Sequence, residues 1–144
     1  TTIGNMDDLP KHTIKAVAKA VDDTKGNTGL NLIFALNYGG RDELIQAFKR
    51  IHEDINDEKL QAEEVDDALV QKYLMTYNIP DPEMIIRTSG EYRLSNFLLW
   101  QSSYSELFFT NTLWPEFGPD ELDELIIQYR KRDRRFGGLN DKEV

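Results

Sequence analysis

Apolar residues in the first third of the chain recur with two different periods. A helix is predicted between Leu9-Pro10 and Lys25-Gly26, because proline is tolerated in a first helical turn and apolar residues then recur at helical spacing. Its apolar face comprises Ile14, Val17, Ala18 and Val21. The run from Gly29 to Leu36 is short, apolar and flanked by turn residues, which predicts a buried strand of a parallel sheet. Thr1-Thr2-Ile3, followed by Gly4-Asn5, indicates the end of an earlier strand.

The two patterns alternate along the rest of the chain. Helices are predicted from Arg41 to about Ile55, from Val65 to Met75, and from Gly118-Pro119-Asp120 to about Arg135. The first of these carries an apolar face of Leu44, Ile45, Phe48, Ile51 and His52. Strands are predicted at Met84-Ile85-Ile86 and Leu107-Phe108-Phe109. Strands separated by helices predict an α/β fold with a mostly parallel central sheet flanked by helices.

Composition narrows the classes of protein. The chain has 144 residues, enough for one domain, and its net charge of -9 disfavours non-specific attraction to nucleic acid or to an anionic bilayer. It contains no cysteine, which excludes a disulfide framework and a thiolate zinc site. No run of about 18 apolar residues and no secretion signal is present, so we expect a cytoplasmic protein that touches membranes only peripherally.

Two arginines and a serine follow the predicted strand at Met84-Ile85-Ile86. Arg87 lies at the carboxyl end of that strand, which is the edge where open α/β sheets bind ligands. If the next segment is extended, Arg93 and Ser95 point to one side and Leu94 to the other. Two guanidinium forks and a hydroxyl then suit a diphosphate. Two alternatives stay open: Arg87 as an ion-paired surface arginine, and Ser95 as the N-cap of a helix.

Glu106 is a second candidate. Ser103-Tyr104-Ser105-Glu106 matches the capping-box pattern, in which a serine is followed three residues later by glutamate. The run that follows, Leu107-Phe108-Phe109, is short and aromatic, which instead favours a strand with Glu106 at its entry, facing the anion site. In that position the carboxylate suits magnesium, which proteins bind through one or two carboxylates together with substrate phosphates. Spacing alone leaves both interpretations open.

Several uncommon motifs occur here in a family's order. The segment Ile86 to Gln101 is followed by Tyr104-Ser105-Glu106-Leu107-Phe108-Phe109, Leu113-Trp114-Pro115-Glu116-Phe117 and Arg134-Arg135-Phe136-Gly137-Gly138, and it is preceded by Asn37-Tyr38-Gly39-Gly40-Arg41. Together these resemble the C-terminal half of the bacterial cis-prenyltransferases of the undecaprenyl diphosphate synthase type. The resemblance covers nearly the whole chain.

The resemblance implies a magnesium-dependent transferase. Such an enzyme adds isopentenyl diphosphate to an allylic diphosphate such as farnesyl diphosphate with cis double bonds, and so makes the lipid carrier for cell-wall synthesis. By the same resemblance, Arg87, Arg93, Leu94 and Ser95 bind isopentenyl diphosphate, and Glu106 binds Mg²⁺. The Arg-x-Gly element at Arg135 and Gly137 is expected to reach a diphosphate site of the partner in a homodimer.

Part of the family pattern is missing. The family begins with a strand and Met-Asp-Gly-Asn-Gly-Arg-Trp, whose aspartate and loop serve the metal and the allylic diphosphate, and this chain has no such segment. We therefore expect residues 1–144 to be the C-terminal part of a single domain, inactive without its N-terminal part. The alternative is a non-catalytic subunit that lends its Arg-x-Gly tail to a partner.

Overall fold

The computed structural model describes residues 1–132, which fall into two compact units, Thr1–Pro80 and the part from Asp81 onward. The first unit contains β1 (Thr2–Ile3), α1 (Lys11–Thr24), β2 (Phe34–Ala35), α2 (Gly40–Asn56), a 3-10 turn (Ala62–Glu64) and α3 (Asp67–Tyr73). The second contains β3 (Met84–Arg87), β4 (Glu106–Phe109), a 3-10 turn (Trp114–Glu116) and α4 (Pro119–Arg130). Every predicted helix and strand is present, although several are shorter than predicted.

In the first unit, β1 and β2 form a parallel pair in which Thr2 lies opposite Phe34 and Ile3 opposite Ala35. Ile3 is buried. The turn after β1 requires glycine, because Gly4 has a φ of +107° and an added Cβ would lie 2.0 Å from the carbonyl oxygen of Leu36. The predicted strand end and turn at the start of the chain are therefore confirmed.

The prediction of a buried strand from Gly29 to Leu36 is wrong in length and in burial. Only Phe34–Ala35 has strand geometry, and the side chains of Leu30 and Phe34 are 92% and 51% exposed. A parallel strand is buried when helices cover both faces of its sheet. Within this unit β2 pairs only with β1 and no packed layer covers its apolar side chains, so composition alone overestimated its burial.

The packed face of α2 also differs from the predicted one. Its buried positions are Gly40, Glu43, Ala47 and Ile51, whereas Ile45 and Phe48 are about half exposed. The helix is oriented by the carboxylate of Glu43, which accepts hydrogen bonds from Tyr38 Oη at 2.5 Å and from the Met75 amide at 2.8 Å. A buried carboxylate needs such donors, and these two bonds allow α2 to bury Glu43 while Ile45 and Phe48 stay half exposed.

The other helices occur where they were predicted but are shorter. α1 has the predicted apolar face, but none of its residues is buried in the described chain. α3 begins at Asp67, later than the predicted Val65, because Asp66 is its N-cap. The Asp66 carboxylate accepts a hydrogen bond from the Leu69 amide at 2.8 Å. α4 ends at Arg130 rather than near Arg135.

In the second unit, β3 and β4 are parallel along their whole length, from Met84 opposite Glu106 to Arg87 opposite Phe109. Phe108 is buried, as is Leu125 of α4. The strands of both units are thus parallel and occur together with helices, which confirms the predicted α/β fold, although no helix separates β3 from β4. Within residues 1–132 the strands form two separate pairs.

Candidate anion site

The register of β3 and β4 sets the positions of the candidate residues. Arg87 ends β3 at the carboxyl edge of the pair, and Glu106 opens β4 opposite Met84 at the other edge. Three residues along a strand separate these two levels by about 10 Å. The sheet therefore delivers Arg87 and Glu106 to opposite edges of one strand pair.

Arg87, Arg93 and Ser95 converge at the carboxyl edge. Arg87 Nη1 donates to Ser95 Oγ at 2.9 Å, and Arg93 Nε donates to the same oxygen at 3.2 Å. Arg87 Nη1 also donates to the main-chain carbonyl of Arg93. Two guanidinium groups thus share one hydroxyl acceptor.

This convergence arises from a turn, not from the extended segment predicted. Ser95 has a φ of +49° and Asn96 a φ of +64°, both in the left-handed region. The Phe97 amide donates to the Leu94 carbonyl at 3.2 Å, and no helix begins between Ser95 and β4. Ser95 is therefore not a helix N-cap. Leu94, between the two polar side chains, is half-buried.

Left-handed backbone is concentrated in residues 88–98, which we call the arginine loop. Non-glycine residues with positive φ occur there at Ser89, Ser95, Asn96 and Leu98, and Gly90 has a φ of +68°. Each non-glycine residue in this region costs of order 1–3 kcal/mol and persists only where surrounding structure fixes it. The loop is therefore a strained segment held by its contacts, as loops at binding sites commonly are.

The electrostatics of the arginine loop include one acid that sequence analysis did not assign. Glu91 forms an ion pair with Arg93, and the Glu91 and Arg93 side chains are 39% and 62% exposed. An exposed pair of this kind contributes about 0–1 kcal/mol, so an anionic ligand can displace it. The sequence could have indicated this ion pair, because Glu91 precedes Arg93 by two residues within a turn.

Three main-chain hydrogen bonds fix the base of the loop. The Thr110 amide donates to the Arg87 carbonyl at 3.0 Å, the Gly90 amide to the Thr110 carbonyl at 2.8 Å, and the Ser89 amide to the Thr112 carbonyl at 2.8 Å. The segment after β4 thus holds the first turn of the arginine loop against the end of β3.

Glu106 is a strand entry, as the aromatic run after it predicted, and the capping-box alternative is wrong because no helix starts near Ser103. The expectation that Glu106 lies on the side of the anion site is not met by the register, which places it at the edge opposite Arg87. Its carboxylate forms an ion pair with Arg132, whose guanidinium carbon lies 4.1 Å from the centre of the Phe108 ring. Arg132 was part of a basic run in the sequence, but nothing there indicated Glu106 as its partner.

At Glu106 the described residues could supply only part of the coordination sphere of a magnesium ion. Residues 1–132 contain no cluster of three or more His, Cys, Asp or Glu side chains that could hold a metal. A single carboxylate is nevertheless the kind of ligand that Mg²⁺ takes when substrate phosphates and water complete its octahedron.

Two predicted residues, Arg135 and Gly137, lie outside the described residues. In residues 1–132, no helix has both the length and the apolar character needed to cross a bilayer.

A parallel α/β fold with two arginines and a serine at the carboxyl end of a strand places the chain in the α/β class, with a side-chain set suited to an anion. The family model described as "Putative undecaprenyl diphosphate synthase" matches residues 1–137. An isoprenyl transferase from Staphylococcus haemolyticus (strain JCSC1435) is 50% identical over 139 residues, which are 96% of this chain and 54% of that protein. The chain therefore belongs to the undecaprenyl diphosphate synthase family of prenyltransferases.

Two further relatives support the same family assignment. The ditrans,polycis-undecaprenyl-diphosphate synthase ((2E,6E)-farnesyl-diphosphate specific) of Micrococcus luteus is 54% identical over 138 residues, covering 96% of this chain and 55% of that protein. The crystal structure of lavandulyl diphosphate synthase from Lavandula x intermedia in complex with dimethylallyl diphosphate matches with a TM-score of 0.91 and 37% identity, over 96% of this chain and 59% of that one. The chain spans about half the length of the curated relatives described here.

Proposed function

We propose that this chain supplies the isopentenyl diphosphate site of a cis-prenyltransferase. The whole protein would condense isopentenyl diphosphate onto an allylic diphosphate, farnesyl diphosphate, to make undecaprenyl diphosphate for the cell-wall lipid carrier. The observation that carries the proposal is the convergence of Arg87 and Arg93 on Ser95 Oγ. The specificity in the name of the Micrococcus luteus relative supports farnesyl diphosphate as the allylic substrate.

The residues at this site would bind and orient the diphosphate. Guanidinium groups present planar forks of donors that match phosphate oxygens, and charge-assisted bonds of this type contribute about 1.5–3 kcal/mol each. The proton of the Ser95 hydroxyl can be donated to a phosphate oxygen, because the bonds from Arg87 and Arg93 use Ser95 Oγ as an acceptor. Holding the diphosphate at the strand end would fix the position of the attacking double bond.

We assign Mg²⁺ to Glu106. When bound, Mg²⁺ would neutralise the charge that develops on a departing diphosphate. Glu106 would provide one carboxylate oxygen, and it must first leave its ion pair with Arg132. The Glu106 carboxylate would exchange the Arg132 guanidinium for Mg²⁺, so its negative charge would have a cationic partner both before and after the metal binds.

We further propose a homodimer in which the segment containing Arg135 and Gly137 reaches the diphosphate site of the partner. The basic character of that segment supports this assignment, since it carries five cationic residues among Arg130 to Arg135. Light scattering and calorimetric titration with isopentenyl diphosphate, each with and without residues 133–144, test it: both proteins should be dimers, and the shortened chain should lose diphosphate affinity.

Calorimetric titration of the 144-residue chain with isopentenyl diphosphate tests the central proposal. Arg87→Ala should weaken binding by about ten- to a hundredfold, since it removes one charge-assisted contact. Lys49→Ala, at an exposed cation of α2 that has no role in the proposed site, is the control and should bind like the unchanged chain. Equal affinity of the Arg87→Ala variant would remove the assignment, and no binding by the unchanged chain would favour the non-catalytic subunit.

Because the chain spans about half of its relatives, we propose that it binds isopentenyl diphosphate but does not elongate a prenyl chain by itself. Incubation of the 144-residue chain with farnesyl diphosphate, labelled isopentenyl diphosphate and Mg²⁺ should give no long-chain product. A labelled polyprenyl product would show that the chain is active alone.

A further inference from the structure

Residues Thr110, Asn111 and Thr112, which follow β4, form what we call the threonine bracket. Their main chain accepts the hydrogen bonds of the Ser89 and Gly90 amides at 2.8 Å each. The bracket is itself closed by a bond from the Thr112 amide to Thr110 Oγ1 at 3.1 Å. The Ser89-Gly90 turn therefore depends on the bracket for its position.

One carboxylate holds the bracket. Glu121 Oε1 accepts hydrogen bonds from the Thr110 hydroxyl and, at 3.2 Å, from the Thr112 hydroxyl. Glu121 lies in the first turn of α4, where the helix dipole favours a negative charge, and its side chain is neither exposed nor fully buried. The contact ties the amino end of α4 to the base of the arginine loop.

We propose that Glu121 is a positioning residue for the diphosphate site. It touches neither Arg87 nor Arg93, and it acts through the threonine bracket and the Ser89-Gly90 turn, which set where the arginine loop leaves β3. The loop contains strained residues that relax if its base is released. Donors aimed at an anion lose affinity when they shift by a fraction of an ångström. The proposal rests on the proposed function, since the bound anion is isopentenyl diphosphate.

The test uses three variants of the 144-residue chain. Glu121→Leu removes the shared acceptor, Glu121→Gln keeps a carbonyl oxygen that both hydroxyls can reach, and Thr112→Val removes only one of the two bonds. Glu124→Leu, an exposed glutamate of the same helix, is the matched control. Asp66→Ala, which removes the N-cap of α3 in the other unit, controls for a general loss of stability.

Two measurements are made on each variant: hydrogen exchange of the Ser89 and Gly90 amides, and calorimetric titration with isopentenyl diphosphate. Glu121→Leu should raise the exchange rates of both amides at least tenfold and weaken binding about tenfold. Thr112→Val should show a smaller change in the same direction. Glu121→Gln, Glu124→Leu and Asp66→Ala should keep the affinity of the unchanged chain.

The outcomes separate the two proposals. Unchanged amide exchange in Glu121→Leu and Thr112→Val overturns the positioning role, whatever the affinity. Faster exchange with unchanged affinity also overturns it, because the turn then has no effect on the anion site. If the unchanged chain does not bind isopentenyl diphosphate, the proposed function fails, while the exchange rates still show whether Glu121 holds the turn. If Glu121→Leu does not fold, Thr112→Val decides by the same two measurements.

Discussion

Arg87 and Ser95 are eight residues apart in the chain, and Arg87 Nη1 lies 2.9 Å from Ser95 Oγ. The bond closes the arginine loop across the end of β3. It brings the guanidinium at the strand end to the same oxygen that Arg93 Nε contacts at 3.2 Å. This small cluster is the strongest indication of function within the described residues.

Loss of the Ser95 hydroxyl should weaken anion binding more than it affects stability. Ser95→Ala removes the common acceptor of Arg87 and Arg93, and a net hydrogen-bond contribution of 0.5–1.5 kcal/mol corresponds to a decrease of roughly two- to tenfold in affinity. Calorimetry with isopentenyl diphosphate measures it. Ser103→Ala, at a serine whose hydroxyl bonds only locally to the Trp100 carbonyl, should bind normally; equal losses in both variants would contradict the prediction.

Substitution of Gly90 should destabilise the arginine loop. Its φ is +68°, and a Cβ at this position would lie 3.0 Å from Asn111 Oδ1. Left-handed backbone costs an alanine about 1–2 kcal/mol, so Gly90→Ala should lower the free energy of unfolding by about that amount. Gly90→Asn should cost less because asparagine visits this region more readily. Denaturant titration of both variants measures the order, and an equal cost would argue against backbone strain as the cause.

Removal of Arg132 should strengthen metal binding at Glu106. The Arg132 guanidinium forms an ion pair with the Glu106 carboxylate, to which we assign Mg²⁺. Ion pairs at such partly exposed positions contribute up to about 1 kcal/mol. Arg132→Gln should therefore increase the affinity for Mn²⁺, used as a spectroscopic probe in the presence of isopentenyl diphosphate, by roughly two- to fivefold. Arg130→Gln is the control. A weaker metal affinity in Arg132→Gln would show that Arg132 supports the site.

The stability of the first unit should depend on pH through Asp54 and Tyr73. The hydrogen bond from Tyr73 Oη, at 2.6 Å, lowers the pKa of Asp54 below its ordinary value of 3.8, opposed by partial desolvation and supported by Lys59. The same bond raises the pKa of Tyr73 above 10.0. Asp54 therefore contributes stability above pH 3.8 that is lost as the pH falls through its lowered pKa. Tyr73 contributes stability below pH 10.0 that is lost as the pH rises through its raised pKa.

Tyr73→Phe removes this bond and should flatten the pH dependence of stability at both ends. Thermal unfolding between pH 2 and 11, on the order of one point per unit of pH, measures the effect. The differences should shrink in high salt, since the Asp54 side chain is partly exposed to solvent. Tyr77→Phe, at an exposed tyrosine of the same unit, should leave the pH profile unchanged; identical profiles for all three proteins would exclude the coupling.

The order and type of the elements could be predicted from the sequence, because helical periodicity and short apolar runs reflect local backbone preference. α1, α2 and α4 begin within about two residues of the predicted positions. Burial was predicted less well. Phe34 and Ile45 are apolar at the expected spacing, yet both are half exposed, since burial depends on what packs against an element and not on its own pattern.

The sequence by itself determined the family, the α/β class and the residue types of the anion site, because these depend on which side chains are present and in what order. Only the tertiary structure decided how that site is built. It joined Arg87, Arg93 and Ser95 through a left-handed turn that no alternation predicts, and it paired β3 with β4 so that Glu106 lies at the opposite edge beside Arg132. Strand register and loop conformation arise from contacts between distant segments, which local patterns do not encode.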